Sequence, residues 1–379
     1  MNKLFFKRFG GLFPFFWIFV ILSCQPAKQN LSIPIIEADV TSGTELKLSE
    51  YFTNFRMLKL PYDTVIGAIR KIKYEKNRIY ITDKWNLFIF SDDGELLFCF
   101  RKRGRGPGEY SEMTDFMVDG ETITVLDRNQ QRLLTYNHSG ENISTRNLGY
   151  FAQAISPTID NSFFLYSDNA FSHKLRRVSD GQDDSLYLAV DKERAKYLFV
   201  FTNQNFFKHQ NSVYFFQPIN DTVYVSAEGG RINPFFYIDF KGKNIPESFF
   251  KKQFRDVRVF YDELESKSYA YGVNNFAMYD RFLMFNSVYQ LNEKLTVFDH
   301  KNHISNTFAT IKDDVYFNGL TISVSDFKYY ANKRIIVPVD AFSVVKWKHT
   351  HPPAEQFQEM VNATKEDDNP LLLIFDFKQ

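Results

Sequence analysis

Three features of this 379-residue sequence predict an all-β fold: its aromatic content, its short alternating apolar runs, and a long internal repeat. Aromatic residues make up 17% of the chain, with 42 Phe and 21 Tyr, a bias that suits pleated, half-buried surfaces better than helix bundles. The alternation is clearest in "NRIYITDKWNLFIFSDDGELLFCF", where Ile79, Ile81 and Asp83 are followed by Leu87 to Phe90 and a D-D-G-E turn. The stretch "ETITVLDRNQQRLLTYNHSGENIST" repeats it with Ile123, Val125 and Asp127, then Leu133 to Tyr136 and an H-S-G-E turn.

The spacing of these units names the architecture. Asp83 and Asp127 are 44 residues apart, and Gly94 and Gly140 are 46 apart. Strand, Asp turn, strand, Gly turn and strand at a period in the forties is the pattern of a β-propeller blade. One blade cannot bury its own faces, so blades stack radially and demand apolar residues on both sides of each sheet. Weaker copies span Val213 to Val225 and Phe282 to Phe298, and "KRIIVPVDAF" and "NPLLLIFDFK" supply further strands. The chain length allows about seven blades, or six with insertions. Two insertions read as helices: the stretch from Pro246, and "PPAEQFQEMVNAT", which puts Ala354, Phe357, Met360 and Val361 on one face.

The first residues are a processing signal. Lys3, Lys7 and Arg8 precede the apolar run "GLFPFFWIFVIL", and "ILSC" ends it at Cys24. The stretch resembles a bacterial lipobox, which implies cleavage before Cys24, lipid on its sulfur and membrane attachment through that anchor. The expected organisation is a signal peptide over 1–23, a lipidated tether over 24–41 and a propeller domain over 42–379. Absence of acidic residues just after Cys24 points to an outer-membrane position facing the periplasm, with the cell surface as the alternative. Without the leader the chain carries 43 basic and 45 acidic residues, so nothing favours nucleic acid as a partner. Cys99 is then the one remaining cysteine, and it reads as a strand thiol rather than a nucleophile.

The stretch "RGRGPGEYSEMTDFMVDGETITVLD" resembles the six-bladed, NHL-like β-propeller lipoproteins of Bacteroidetes, a family of largely uncharacterised function. It carries their G-x-G-P-G-E-Y loop at Gly104, Gly106, Pro107, Gly108, Glu109 and Tyr110. Asp115, Phe116 and Asp119 then match a strand start, Val125 to Asp127 a strand end, and Asn369 with Pro370 the C-terminal strand. The resemblance implies six four-stranded antiparallel blades with short helical insertions.

The same loop is the candidate ligand site. Arg101, Lys102, Arg103 and Arg105 surround the glycines, so backbone N–H groups in a glycine nest and flanking guanidinium groups would suit an anion. The structural alternative makes Gly104, Gly106, Pro107 and Gly108 a tight crossing between blades, with Glu109 paired to an arginine and Tyr110 packed beneath. No G-K-[ST] and no helix follows, which removes the nucleotide-loop readings. The close histidine pairs His300 with His303 and His349 with His351 lack carboxylates at ligand spacing. No catalytic residue and no metal ligand is assigned, since neither G-x-S-x-G nor H-E-x-x-H is present. The expected function is a non-catalytic binding or scaffold propeller of the envelope, its ligand a glycan, a peptide or a partner protein. The alternative is a hydrolase, lactonase or lyase acting on sugars with a divalent cation such as Ca2+ in the central funnel.

Overall fold

A computed structural model of the chain describes residues 33–168, 172–179, 184–191, 204–227, 230–327, 329–331 and 333–379. Cys24 and the signal peptide lie outside the described residues. Blade 1 contains Lys71–Glu75, Arg78–Thr82, Leu87–Ser91 and Leu96–Phe100, paired antiparallel in chain order. Blade 2 runs Asp115–Asp119, Thr122–Asp127, Arg132–Asn137 and Asn142–Asn147. Blade 3 comprises Ala154–Pro157, Phe163–Tyr166, His173–Val178 and Ser185–Ala189. Blade 4 is Phe206–His209, Ser212–Phe215, Thr222–Ser226 and Ile232–Asp239, and blade 5 is Tyr271–Tyr279, Phe282–Tyr289, Asn292–Asp299 and Ile304–Phe308.

The sheet count is seven, which corrects the six that the resemblance implied. The additional sheet is a reduced blade of three strands, Thr310–Asp313 and Leu320–Ile322 with Glu45–Lys47. Strands of three or four residues carry too little alternation to be read from sequence. The first strand of blade 5 also contacts Tyr330–Ala331 of the last sheet.

The last sheet closes the ring. It joins Tyr330–Ala331, Arg334–Val339 and the C-terminal Leu371–Phe377 to the early strand Phe52–Lys59, in a register from Leu371 opposite Lys59 to Phe377 opposite Phe52. Asp92 at a turn of blade 1 accepts from Arg56 and Arg334 of this closing sheet, and Arg334 also donates to Asp376. Ring closure protects the sheet edges that an open array would leave for aggregation.

The core lies between neighbouring blades, which is why both faces of each strand are apolar. Ile79 and Phe90 pack against Ile336 and Ile374 of the closing sheet, whereas Tyr80, Ile89 and Phe100 pack the other way against Phe116, Ile123 and Leu134. The repeating aspartates cap turns. Asp83 accepts from the N–H groups of Trp85 and Asn86, and Asp127 from those of Ser111 and Gln130.

Two further expectations need correction. The tether does not reach Thr41, because Ile35–Glu37 pairs in parallel with Ile232–Asp239 and Ile36, Ala38 and Val40 are buried. Ile36 lies in that added strand and Ala38 N donates to Asp239 O at 2.8 Å just beyond it, so the segment completes a sheet edge. "KRIIVPVDAF" is a strand only to Val339; Asp340 then caps the helix Ala341–Thr350 by accepting from Ser343 N. The insertion after Pro246 forms two helices, Glu247–Phe250 and Val257–Ser266, and the later one forms Glu355–Phe357 and Gln358–Asn362.

Candidate functional site

The loop over 101–110 crosses from the outer strand of blade 1 to the inner strand of blade 2, and its own backbone closes it. Gly104 N donates to Tyr110 O at 2.9 Å and Tyr110 N to Lys102 O at 3.0 Å. Tyr110 is fully buried, and its hydroxyl donates to Trp85 O of blade 1 at 2.9 Å. From blade 2, the Tyr136 hydroxyl donates to Gly108 O at 3.0 Å and Arg132 to Glu109 O.

The nest already holds an anion, and that anion belongs to the chain. Glu109 Oε2 accepts from Gly106 N at 2.9 Å, and it lies where a Cβ on Gly104 would sit, 1.8 Å from that position. Glu109 therefore fills the glycine cradle rather than pairing with an arginine, which corrects the expected ion pair. Among the loop glycines only Gly108 has a positive φ, +68°. Gly104→Ala is expected to cost about 1–2 kcal/mol, because the carboxylate must leave its N–H partner. In the Glu109→Ala background the same substitution should cost much less, as a double-mutant cycle in urea would show. Equal costs in both backgrounds would remove this explanation of the glycine.

The basic residues of the loop point elsewhere. Arg101, Lys102, Arg103 and Arg105 are all exposed. The Arg103 guanidinium lies 3.5 Å from the centre of the Trp85 ring, and Arg101 contacts Cys99, a half-buried strand thiol that burial pushes above its ordinary pKa. His300 and His303 occupy the turn after Asp299, and His349 and His351 end the helix Ala341–Thr350. Among the described residues no group of three or more His, Cys, Asp or Glu converges as a ligand set.

The second candidate lies in the centre of the ring. A cavity of about 350 Å³ is walled by the inner strands of blades 1 to 4, with Ala331 of the closing sheet. Its apolar wall includes Met117, Ile155 and Phe206, and its charged groups are Lys71, Lys73 and Lys208 against Asp115 and Glu75. Lys71 and Lys73 share one face of the first inner strand, and in a propeller that face meets the next blade.

Asp115 is the hub of this wall. Its Oδ1 lies 2.5 Å from Lys71 Nζ and 3.6 Å from Lys73 Nζ and accepts from Phe116 N at 2.7 Å. Its Oδ2 accepts from Ile155 N at 3.0 Å. One carboxylate thus joins blades 1, 2 and 3. Two ammonium groups share it, so the wall keeps an excess of positive charge.

Lys73 is the accessible member. Its ammonium donates to Phe116 O and lies 4.7 Å from the Phe116 ring centre, with 30% of the side chain exposed against 6% for Lys71. Burial pushes its pKa down to about 8, and the Asp115 charge opposes that fall. A lowered lysine pKa disfavours the folded state while the group is charged. Stability therefore rises as pH climbs from about 8 towards the ordinary lysine value of 10.5. Sequence reading found Asp115 through its motif but not the lysines, because "KIKYE" looks like a strand with a solvated face.

A family model described as Domain of unknown function (DUF4934) matches residues 31–376. No curated protein matches the chain in sequence. Among solved structures, a protein described as exported, from Bacteroides fragilis NCTC 9343, is similar with 17% identity and a TM-score of 0.73, over 92% of this chain and 100% of that one. A member of the DUF4221 family from Bacteroides vulgatus is 12% identical with a TM-score of 0.49, over 86% of this chain and 98% of its own. Virginiamycin B lyase from Staphylococcus aureus is 11% identical with a TM-score of 0.42, over 75% and 82%. The first of these likenesses supports the propeller fold.

Proposed function

The chain belongs to the family described as Domain of unknown function (DUF4934), and from that premise we propose that it is a non-catalytic binding propeller of the bacterial cell envelope. In this reading Cys24 carries the lipid anchor, and the central cavity holds a glycan or peptide through a carboxylate or similar oxyanion. The observation that carries it is the cationic wall, where Lys71 and Lys73 share the buried carboxylate of Asp115 and Lys208 stands as a third ammonium against Glu75. An incoming anion beside Lys73 completes the charge balance inside a cavity where water screens poorly. The lipobox-like leader supports the envelope location, as does the exported relative in Bacteroides fragilis.

The sugar-active reading with a divalent cation needs oxygen donors at the funnel. Asp115 is the buried carboxylate there, and ammonium and N–H groups already occupy its oxygens. The wall as built suits an anion better than a cation.

The test is calorimetric titration of the full chain in detergent with uronate oligosaccharides and with neutral oligosaccharides of the same length. Acidic ligands are expected to bind and neutral ones to bind weakly. Affinity should fall up to roughly tenfold as pH rises from 7 to about 9, because Lys73 loses its proton through about 8. Equal binding of acidic and neutral sugars, or a flat pH profile, would argue against the cavity as the site.

A further inference from the structure

The basic flank of the blade crossing is not used by the cavity, and its geometry supports a site of its own. We propose that the groove formed by Lys84, Trp85, Arg103 and Arg105 binds an acidic glycan, whose carboxylate or sulfate groups are gripped by the two arginines. The groove is open, encloses about 740 Å³ and is otherwise lined by Ser111, Asn129, Gln130 and the carboxylate of Glu112. Its size suits an extended chain of several sugar rings rather than one small ion.

Two observations carry the proposal. The first is a cation pair held on one ring: the Arg103 guanidinium lies 3.5 Å and the Lys84 ammonium 4.4 Å from the centre of Trp85. A guanidinium stacked flat on an indole keeps its N–H edge outward, in the orientation that grips an oxyanion with two parallel bonds. The second is that the nearby acids are already engaged. Glu109 is turned into the glycine cradle, and Glu112 accepts from Asn129 at 3.1 Å. Among the described residues no carboxylate forms an ion pair with Lys84, Arg103 or Arg105. Three cationic side chains therefore line this groove against the one carboxylate of Glu112, although the chain as a whole is nearly neutral. Polar walls and an aromatic edge match a hydrated sugar chain better than an apolar ligand.

The experiment uses the full chain in detergent and a polygalacturonate oligomer of about ten residues. Arg105→Gln, which removes no internal contact, should weaken binding about tenfold, and Arg103→Gln with Arg105→Gln about a hundredfold. Thermal midpoints report folding, and binding in this groove should weaken with added salt. Unchanged affinity in the double variant would overturn the proposal. So would binding of inorganic sulfate but not of the oligomer, which would mark an adventitious ion only. Stronger arginine-dependent binding of phosphatidylglycerol vesicles or of polyglutamate would reject the glycan as occupant.

Discussion

Replacing Asp115 with alanine is expected to destabilise the propeller by about 3–5 kcal/mol, the largest effect of any single substitution considered. The carboxylate is 2% exposed and touches three blades at once. Its loss leaves Lys71, itself only 6% exposed, as a buried ammonium without a counter-charge. It also strands the N–H of Ile155, a donor from the neighbouring blade. Breaking a buried pair on one side costs far more than removing both charges. Lys71→Met combined with Asp115→Leu should therefore recover much of the loss. Guanidinium unfolding at pH 7 measures both. A loss below about 1 kcal/mol for Asp115→Ala would show that the hub is not what joins these blades.

Asn369→Ala comes next, at about 2–3 kcal/mol. The side chain is buried just before the C-terminal strand and serves the segment that leaves the closing sheet for blade 1. Its amide donates to Pro61 O and to Thr64 O, the latter at 2.6 Å, and its oxygen accepts from Ile66 N at 2.9 Å. One amide thus satisfies three backbone groups on a stretch with no strand partner. Ring closure depends on pairing the two ends of the domain, so the loss should appear as early opening of the closing sheet. Hydrogen exchange would show it as faster exchange in Phe52–Lys59 and Leu371–Phe377 than in blade 2. Asn369→Asp keeps the acceptor but sets a carboxylate against two carbonyls, and it should be no better than alanine. Uniform exchange across all blades would assign Asn369 a merely local role.

Much of this architecture was legible because propeller blades bury both faces at a fixed period. Ile79 and Tyr80 pack towards opposite neighbours, which is why the runs around Asp83 and Asp127 are apolar throughout. The reduced sheet escaped notice because Glu45–Lys47 and Leu320–Ile322 are too short to show alternation. The helix Ala341–Thr350 was hidden by the β-branched run before it, with Asp340 as the single start signal. In the crossing loop the need for glycine was readable, but not that the Glu109 carboxylate occupies the space beside Gly104. The cavity was the least legible part. Lys71, Lys73 and Glu75 alternate with Ile72 and Tyr74 as they would on a half-solvated strand, and only the ring geometry turns that face towards Asp115.

The central claim, that the cavity binds an acidic ligand through Lys73, is tested most directly by titrating a uronate oligosaccharide onto the Lys73→Gln variant across pH 7 to 9. The expected result is an affinity at least about tenfold lower than the parent's at pH 7, an undiminished thermal midpoint, and no pH dependence through about 8. Binding as tight as the parent's, with its pH dependence intact, would contradict the claim.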